Sequence, residues 1–108
     1  MSDLVSKTCK PCEGGVTPLN DDSVRALLPS LNNWNTNGTA IFKEFSFKSY
    51  YQTIAFVNAV AWMAHKENHH PNLSVGFKQC VVQYTTHAIN GLSENDFICA
   101  AKVDALVS

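Results

Sequence analysis

"SYYQTIAFVNAVAWMAHKENHHPNLSVGF", Ser49 to Phe77, holds a helix start, a helix stop and the opening of a strand. Ser49 with Gln52 three positions later is a capping box, the polar pattern that satisfies the first free amides of a helix. Behind it Tyr50, Ile54, Val57 and Ala61 recur at helical spacing, with Tyr51, Ala55 and Trp62 beside them, and predict one long helix with an apolar stripe. Pro71 disfavours helical geometry at His70, so the helix ends near Lys66 to Asn68 and "NLSVGF" reads as a strand. Of the four histidines, His65, His69 and His70 fall at this stop. They form either a polar helix end or an ionisable site.

Working outward, "CVVQYTTH" is a second strand after a connection at Gly76 to Gln79, with Val82, Tyr84 and Thr86 on its core face and His87 at its polar end. Gly91 then breaks the chain and Ser93 caps a last helix, whose apolar side is Phe97, Ala100, Ala101 and Val103 to Leu106. Upstream, "TAIFKEFSF" alternates, placing Ile41, Phe45 and Phe47 opposite Glu44 and Ser46, while Phe42 breaks the pattern. Before it, "NNWNTNG" is turn-rich around Trp34. Asn20 or Asp21 caps a short helix carrying Val24, Leu27, Leu28 and Leu31, which Pro29 curtails. Residues 1–19, punctuated by Pro11, Gly14, Gly15 and Pro18, read as a flexible leader, and residues 20–108 as a single domain. The expected class is α+β: a four-stranded antiparallel sheet with helices packed on one face, in the order α-β-β-α-β-β-α.

At 108 residues the chain can bury one core but not two. A net charge of −1 with scattered Lys and Arg gives no basic patch for nucleic acid. No apolar run is long enough to cross a bilayer, and "MSDLVSKTCK" lacks the apolar centre of a signal peptide, so the expected location is cytoplasmic. Cys9 and Cys12 form "CKPC" beside Pro and Gly, with no strand before them and no second such pair to complete a zinc site. Cys80 and Cys99 sit in apolar surroundings. All four are expected to be free thiols without a catalytic role.

The polar candidates each have a structural and a chemical reading. His87 at a strand end is ordinarily a surface residue. Asp96 at N3 of the last helix is explained by capping alone, which stabilises a first turn by ~0.3–1 kcal/mol. The His69-His70-Pro71 turn is a polar cap or a pair of proton carriers, since histidine titrates nearest neutrality. His65 and His69, four apart on a helix, could bind a metal with His87 as third ligand, but they are not the HExxH of metalloproteases.

Taken jointly, "AIFKEFSFKSY", "HKENHHP", Phe77 and "THAINGLSEND" resemble the pterin-4a-carbinolamine dehydratase family. Its pattern falls on His65, His69, His70, Pro71, Phe77, His87 and Asp96, over about residue 20 to the end, and the "CKPCEGG" leader is similar to that of bacterial members. The family's first position is often acidic and here is His65, a departure from the pattern. The resemblance implies a lyase that removes water from 4a-hydroxytetrahydropterin to give quinonoid dihydropterin, recycling the cofactor of aromatic amino-acid hydroxylases. It implies His70 and His87 as an acid/base pair, His69 as a further catalytic or pterin-binding residue, and Asp96 as the group that orients or charge-tunes a histidine. Pro71 would shape the turn, with Phe77 and Trp34 as candidates to flank the pterin, although packing in the core or at its rim is the ordinary role for each. No cofactor and no metal are implied, and the expected assembly is a homodimer or homotetramer. The alternatives are a non-catalytic dimerisation or partner-binding module on the same fold, and a small metalloprotein using His65, His69 and His87.

Overall fold

The computed structural model describes residues 3–10 and 17–107. Cys12 and the expected punctuation at Pro11, Gly14 and Gly15 lie outside the described residues. The long helix, α2, spans Tyr50–Glu67. Ser49 Oγ accepts the Gln52 amide at 3.2 Å, and Gln52 reaches back one residue further than expected, its Oε1 accepting the Lys48 amide at 3.1 Å. Asn68, in the left-handed region at φ 53°, ends the helix, and the His69 amide turns back to the Ala64 carbonyl.

The buried face of α2 is Thr53, Phe56, Val60 and Ala64, not the expected stripe. Tyr50, Tyr51 and Trp62 stand 57, 82 and 64% exposed. A helix apolar on nearly every side fits several stripes at the same period, and its packing partner chooses the face. The choice here is the sheet.

Four antiparallel strands make that sheet in the order β1 (Asn35–Thr36), β2 (Ile41–Ser46), β4 (Gln79–Tyr84), β3 (Asn72–Val75). Ile41 pairs with Tyr84 and Phe45 with Cys80, so the apolar residues of both central strands share one face. α1 (Asp21–Leu27), α2 and α3 (Glu94–Leu106) cover this face, giving the expected α+β class and element order. Asn20 caps α1 through Oδ1, which accepts the Ser23 amide at 2.8 Å.

β4 stops at Tyr84, earlier than expected. Thr86 then bridges Gly91 in a narrow loop, and His87–Ile89 make a 3-10 turn closed by Asn90 at φ 53°. Gly91 is required at the loop's end, because a Cβ there would lie 2.8 Å from Pro18. His87 is therefore presented on a turn and not at the end of the strand.

Within the stretch read as a leader, Leu4 lies in the core at 4% exposure. Residues 3–10 form a strap over α3, which explains why Asn95 through Ala100 are buried on every side of that helix. No helix among the described residues is long and apolar enough to cross a membrane.

Candidate active site

The end of α2, the loop after β4, the first turn of α3 and the strap enclose a cleft of about 610 Å³. That volume is on the scale of small-molecule sites, roughly 300–1,000 Å³. His69 and His70 enter from one wall and His87 from another, with Cys9, Lys10 and Asn95 closing the floor. Each position follows from local chemistry. Asn68 stops the helix, Pro71 holds His70 extended, and the Thr86–Gly91 bridge throws the His87 turn outward.

Behind the cleft, Asp96 is fully buried and receives three contacts. Its Oδ1 lies 2.6 Å from His69 Nε2, and its Oδ2 accepts from Thr86 Oγ1 at 2.8 Å and from the Ser93 amide at 2.9 Å. The Ser93 hydroxyl meets Thr86 Oγ1 at 2.8 Å. The capping role expected of Asp96 and its contact with a histidine coexist, one oxygen for each. A buried carboxylate needs this degree of pairing, since an unpaired one would be expelled or neutralised.

His69 is clamped from a second direction. Its ring stacks on Tyr84, centroids 5.4 Å apart and planes 12° apart. Burial opposes its imidazolium, but the hydrogen bond and charge of Asp96 outweigh burial and hold His69 above the usual histidine range. His70 and His87 are exposed on the cleft, and neither ring has a protein hydrogen-bond partner among the described residues. The arrangement is one histidine fixed by Asp96 and Tyr84 and two exposed ones lining the same cleft. It suits proton transfer to and from a bound molecule.

The remaining candidates lie elsewhere. Pro71 follows His70 but does not line the cleft. Phe77 is 67% exposed at the β3–β4 turn and packs edge-on against Tyr50 at the far end of α2, a helix roughly 27 Å long. Trp34 is a core residue, 5% exposed, its Nε1 donating to Asp104 Oδ1 at 3.0 Å. His65 stacks on Trp62 outside the cleft, so the three histidines of the metal alternative are not gathered. Among the described residues no group of three His, Cys, Asp or Glu side chains is placed to hold a metal ion.

Sequence reasoning missed Cys9, Lys10, Lys66, Glu67 and Asn95 as lining residues. Only "CKPC" carries any signal, and beside Pro and Gly, with no strand before it and no second pair, it reads as inert.

Comparison with known proteins finds relatives along nearly the whole chain. A curated relative from Nitrosospira multiformis is 60% identical over 106 residues, covering 98% of this chain and 94% of its own length. A Legionella pneumophila relative is 55% identical over 109 residues, covering 98% and 96%. The names of both give pterin-4-alpha-carbinolamine dehydratase as a provisional assignment. A solved transcriptional coactivator/pterin dehydratase from Brucella melitensis superposes with a TM-score of 0.80 at 29% identity, over 85% of this chain and all of its own. A pterin dehydratase-like RuBisCO assembly factor of the alpha-carboxysome superposes with a TM-score of 0.59 at 30% identity, over 70% and 88%. The sequence model described as Pterin 4 alpha carbinolamine dehydratase matches residues 17–106, from the residue before Pro18 to the last residue of α3. With the match running through α1 to α3, all four strands and the positions of all the cleft histidines, this chain belongs to the pterin 4 alpha carbinolamine dehydratase family.

Proposed function

We propose that this protein dehydrates a 4a-hydroxytetrahydropterin to the quinonoid dihydropterin by histidine acid/base catalysis. The observation that carries the reading is the convergence of His69, His70 and His87 on one cleft, with Asp96 at 2.6 Å behind His69. The hydroxyl on C4a must gain a proton as it leaves, and N5 must lose one. His70 and His87, unrestrained on different walls, are the acid and base, each contributing ~10²–10⁴-fold. His69, whose imidazolium is favoured by Asp96 and whose ring is clamped by Tyr84, would present a positive group beside the departing oxygen when protonated. Recycling of a pterin for an aromatic amino-acid hydroxylase, a cytoplasmic setting and a homodimer or homotetramer belong to the same reading.

A second reading draws on the likeness to the RuBisCO assembly factor. It makes the fold a partner-binding module, with the exposed Tyr51 and Trp62 on α2 as its contact face.

Dehydration of synthetic 4a-hydroxytetrahydropterin, followed as quinonoid product appears, separates the two. The native chain should exceed the buffer rate, and His70→Ala and His87→Ala should each lower kcat/KM by ~10²–10⁴-fold with unchanged circular dichroism. A folded native chain that binds pterin but gives no acceleration would overturn the enzyme reading in favour of the second.

A further inference from the structure

Cys9 and Cys99 meet at the floor of the cleft, and the proposed dehydration uses neither. Cys9 lines the cleft from the strap, whereas Cys99, one turn beyond Asn95 on α3, is fully buried. Their sulfurs are 3.4 Å apart, and either could donate to the other. Stronger bonds than this one hold them together. The Cys9 amide donates to Glu67 Oε1 at 2.8 Å. Lys10 and Asn95 exchange two hydrogen bonds, Lys10 N to Asn95 Oδ1 at 3.0 Å and Asn95 Nδ2 to the Lys10 carbonyl at 2.6 Å. Backbone and amide contacts thus set the approach of two thiols separated by 90 positions in the chain.

The ionisable groups facing the pair are Glu67 and His69 from the end of α2 and Tyr84 from β4. A hydrogen bond from the Cys9 thiol, working against burial, favours the Cys99 thiolate, and the His69 charge adds to it, so Cys99 is held below the usual thiol range. The same hydrogen bond and burial push Cys9 up. The pair therefore gives up one proton readily and the second with difficulty, which is the charge state of a reactive dithiol. The Tyr84 hydroxyl, buried without a hydrogen-bond partner among the described residues, is a donor left over within electrostatic reach of Cys99.

We propose that Cys9 and Cys99 are an oxidation site, at which hydrogen peroxide entering the cleft converts the two thiols to a disulfide that fastens the strap to α3. The proton that the pair retains rests on Cys9 and can cross the 3.4 Å contact to Cys99, since either sulfur can donate, and the Cys9 thiolate so formed on the cleft side attacks peroxide. An S–O bond forms, the O–O bond breaks, and hydroxide leaves. The Cys99 sulfur then attacks Cys9, forming the S–S bond, breaking the S–O bond and releasing a second hydroxide. The two hydroxides take the pair's remaining proton and one from solvent, so peroxide is reduced to two waters as two thiols lose two electrons. The sulfurs need only close from 3.4 Å to about 2.05 Å. Cys12, three residues from Cys9, is the competing partner, and the packed strap turns Cys9 towards α3 instead.

The test is to oxidise the reduced, full-length chain with one equivalent of hydrogen peroxide, quench by alkylation in acid, and map peptides without reductant. The native chain should lose the mass of two hydrogens and yield a linked peptide pair containing Cys9 and Cys99, reversed by dithiothreitol. Cys12→Ser, which alters no described contact, should do the same, whereas Cys9→Ser should leave Cys99 reduced. The urea-unfolded chain should shift to the short Cys9–Cys12 link. A Cys9–Cys12 link in the native chain, or Cys9 overoxidised with Cys99 still alkylated, would overturn the proposal.

Discussion

Two aspartates on α3 stand about 12 Å apart along its axis and solve the same problem with opposite consequences. Asp96, in the first turn, receives His69, the Thr86 hydroxyl and the Ser93 amide. Asp104, in the last, receives the Trp34 indole, the Asn32 amide and Lys43, at 3.0, 3.0 and 3.1 Å. Each carboxylate has three donors. At Asp104 the donors are an indole and an amide that cannot titrate near neutrality and a lysine whose ammonium lies over the Phe45 ring. At Asp96 one donor is a histidine facing a cleft. The difference shows that a triply bonded carboxylate is not in itself a site. What makes one is a partner that can exchange a proton and a path for a ligand to reach it.

The comparison breaks first at Asp96. Replacing it with Ala leaves the Ser93 amide without its acceptor, leaves the buried Thr86 hydroxyl only Ser93 Oγ, and removes the anion beside His69, so the loss should be roughly 3–5 kcal/mol in urea unfolding. The value should fall at the lower end of that range, because a half-buried His69 can give up its proton. Its titration, followed by imidazole nitrogen NMR, should drop, since burial would then act without its counterweight. An unchanged His69 titration would sever the link between the two residues. Asp104→Ala should cost less, about 1–3 kcal/mol, because Lys43 and Asn32 can turn to water. It should leave the His69 titration where it was.

How much of this contrast could be read from the sequence depended on the range of the signal. Caps and breakers act over three or four residues, so Asn20, Ser49 and Ser93 were legible, as was the halt before Pro71. Strand alternation placed Val82, Tyr84 and Thr86 in the core. The buried face of α2 was not legible, because Tyr50, Ile54 and Trp62 are as apolar as the residues that pack, and only the sheet chooses between them. At the site, the histidines and Asp96 stood out as residue types in an unusual spacing, helped by the family resemblance. The floor of the cleft did not. Cys9 and Lys10 reach it through contacts with Asn95 and Glu67 more than fifty positions away, and no local pattern encodes those.

A smaller effect follows from pH. Because the folded His69 pKa lies above its unfolded value of about 6.5, the ion pair with Asp96 adds stability that is fully present below that value. The contribution is lost as pH rises through the higher, folded pKa. Urea unfolding of the native chain should therefore weaken towards mildly alkaline pH, and His69→Gln should flatten that slope. Asp104→Ala should keep it. A slope that survives His69→Gln would have to come from another group.

The smallest expected effect isolates one bond at the structural end. Trp34→Phe keeps an aromatic ring beside Phe45, 6.1 Å away in the native chain, but removes the indole N–H that Asp104 accepts. Two terms add: the lost hydrogen bond to a charged acceptor, about 1.5–3 kcal/mol at most, and some lost packing area. Lys43 and the Asn32 amide still hold the carboxylate, so the net loss should sit near the bottom of that range. Pairing Trp34→Phe with Asp104→Asn in a double-mutant cycle separates the terms, since packing loss is additive and the shared bond is not. A coupling energy near zero would make Trp34 a space-filling residue whose hydrogen bond to Asp104 contributes nothing. Dehydratase activity should be indifferent to Trp34→Phe, because Trp34 is absent from the cleft lining. A fall in kcat/KM with unchanged stability would instead place this end of α3 in communication with the cleft.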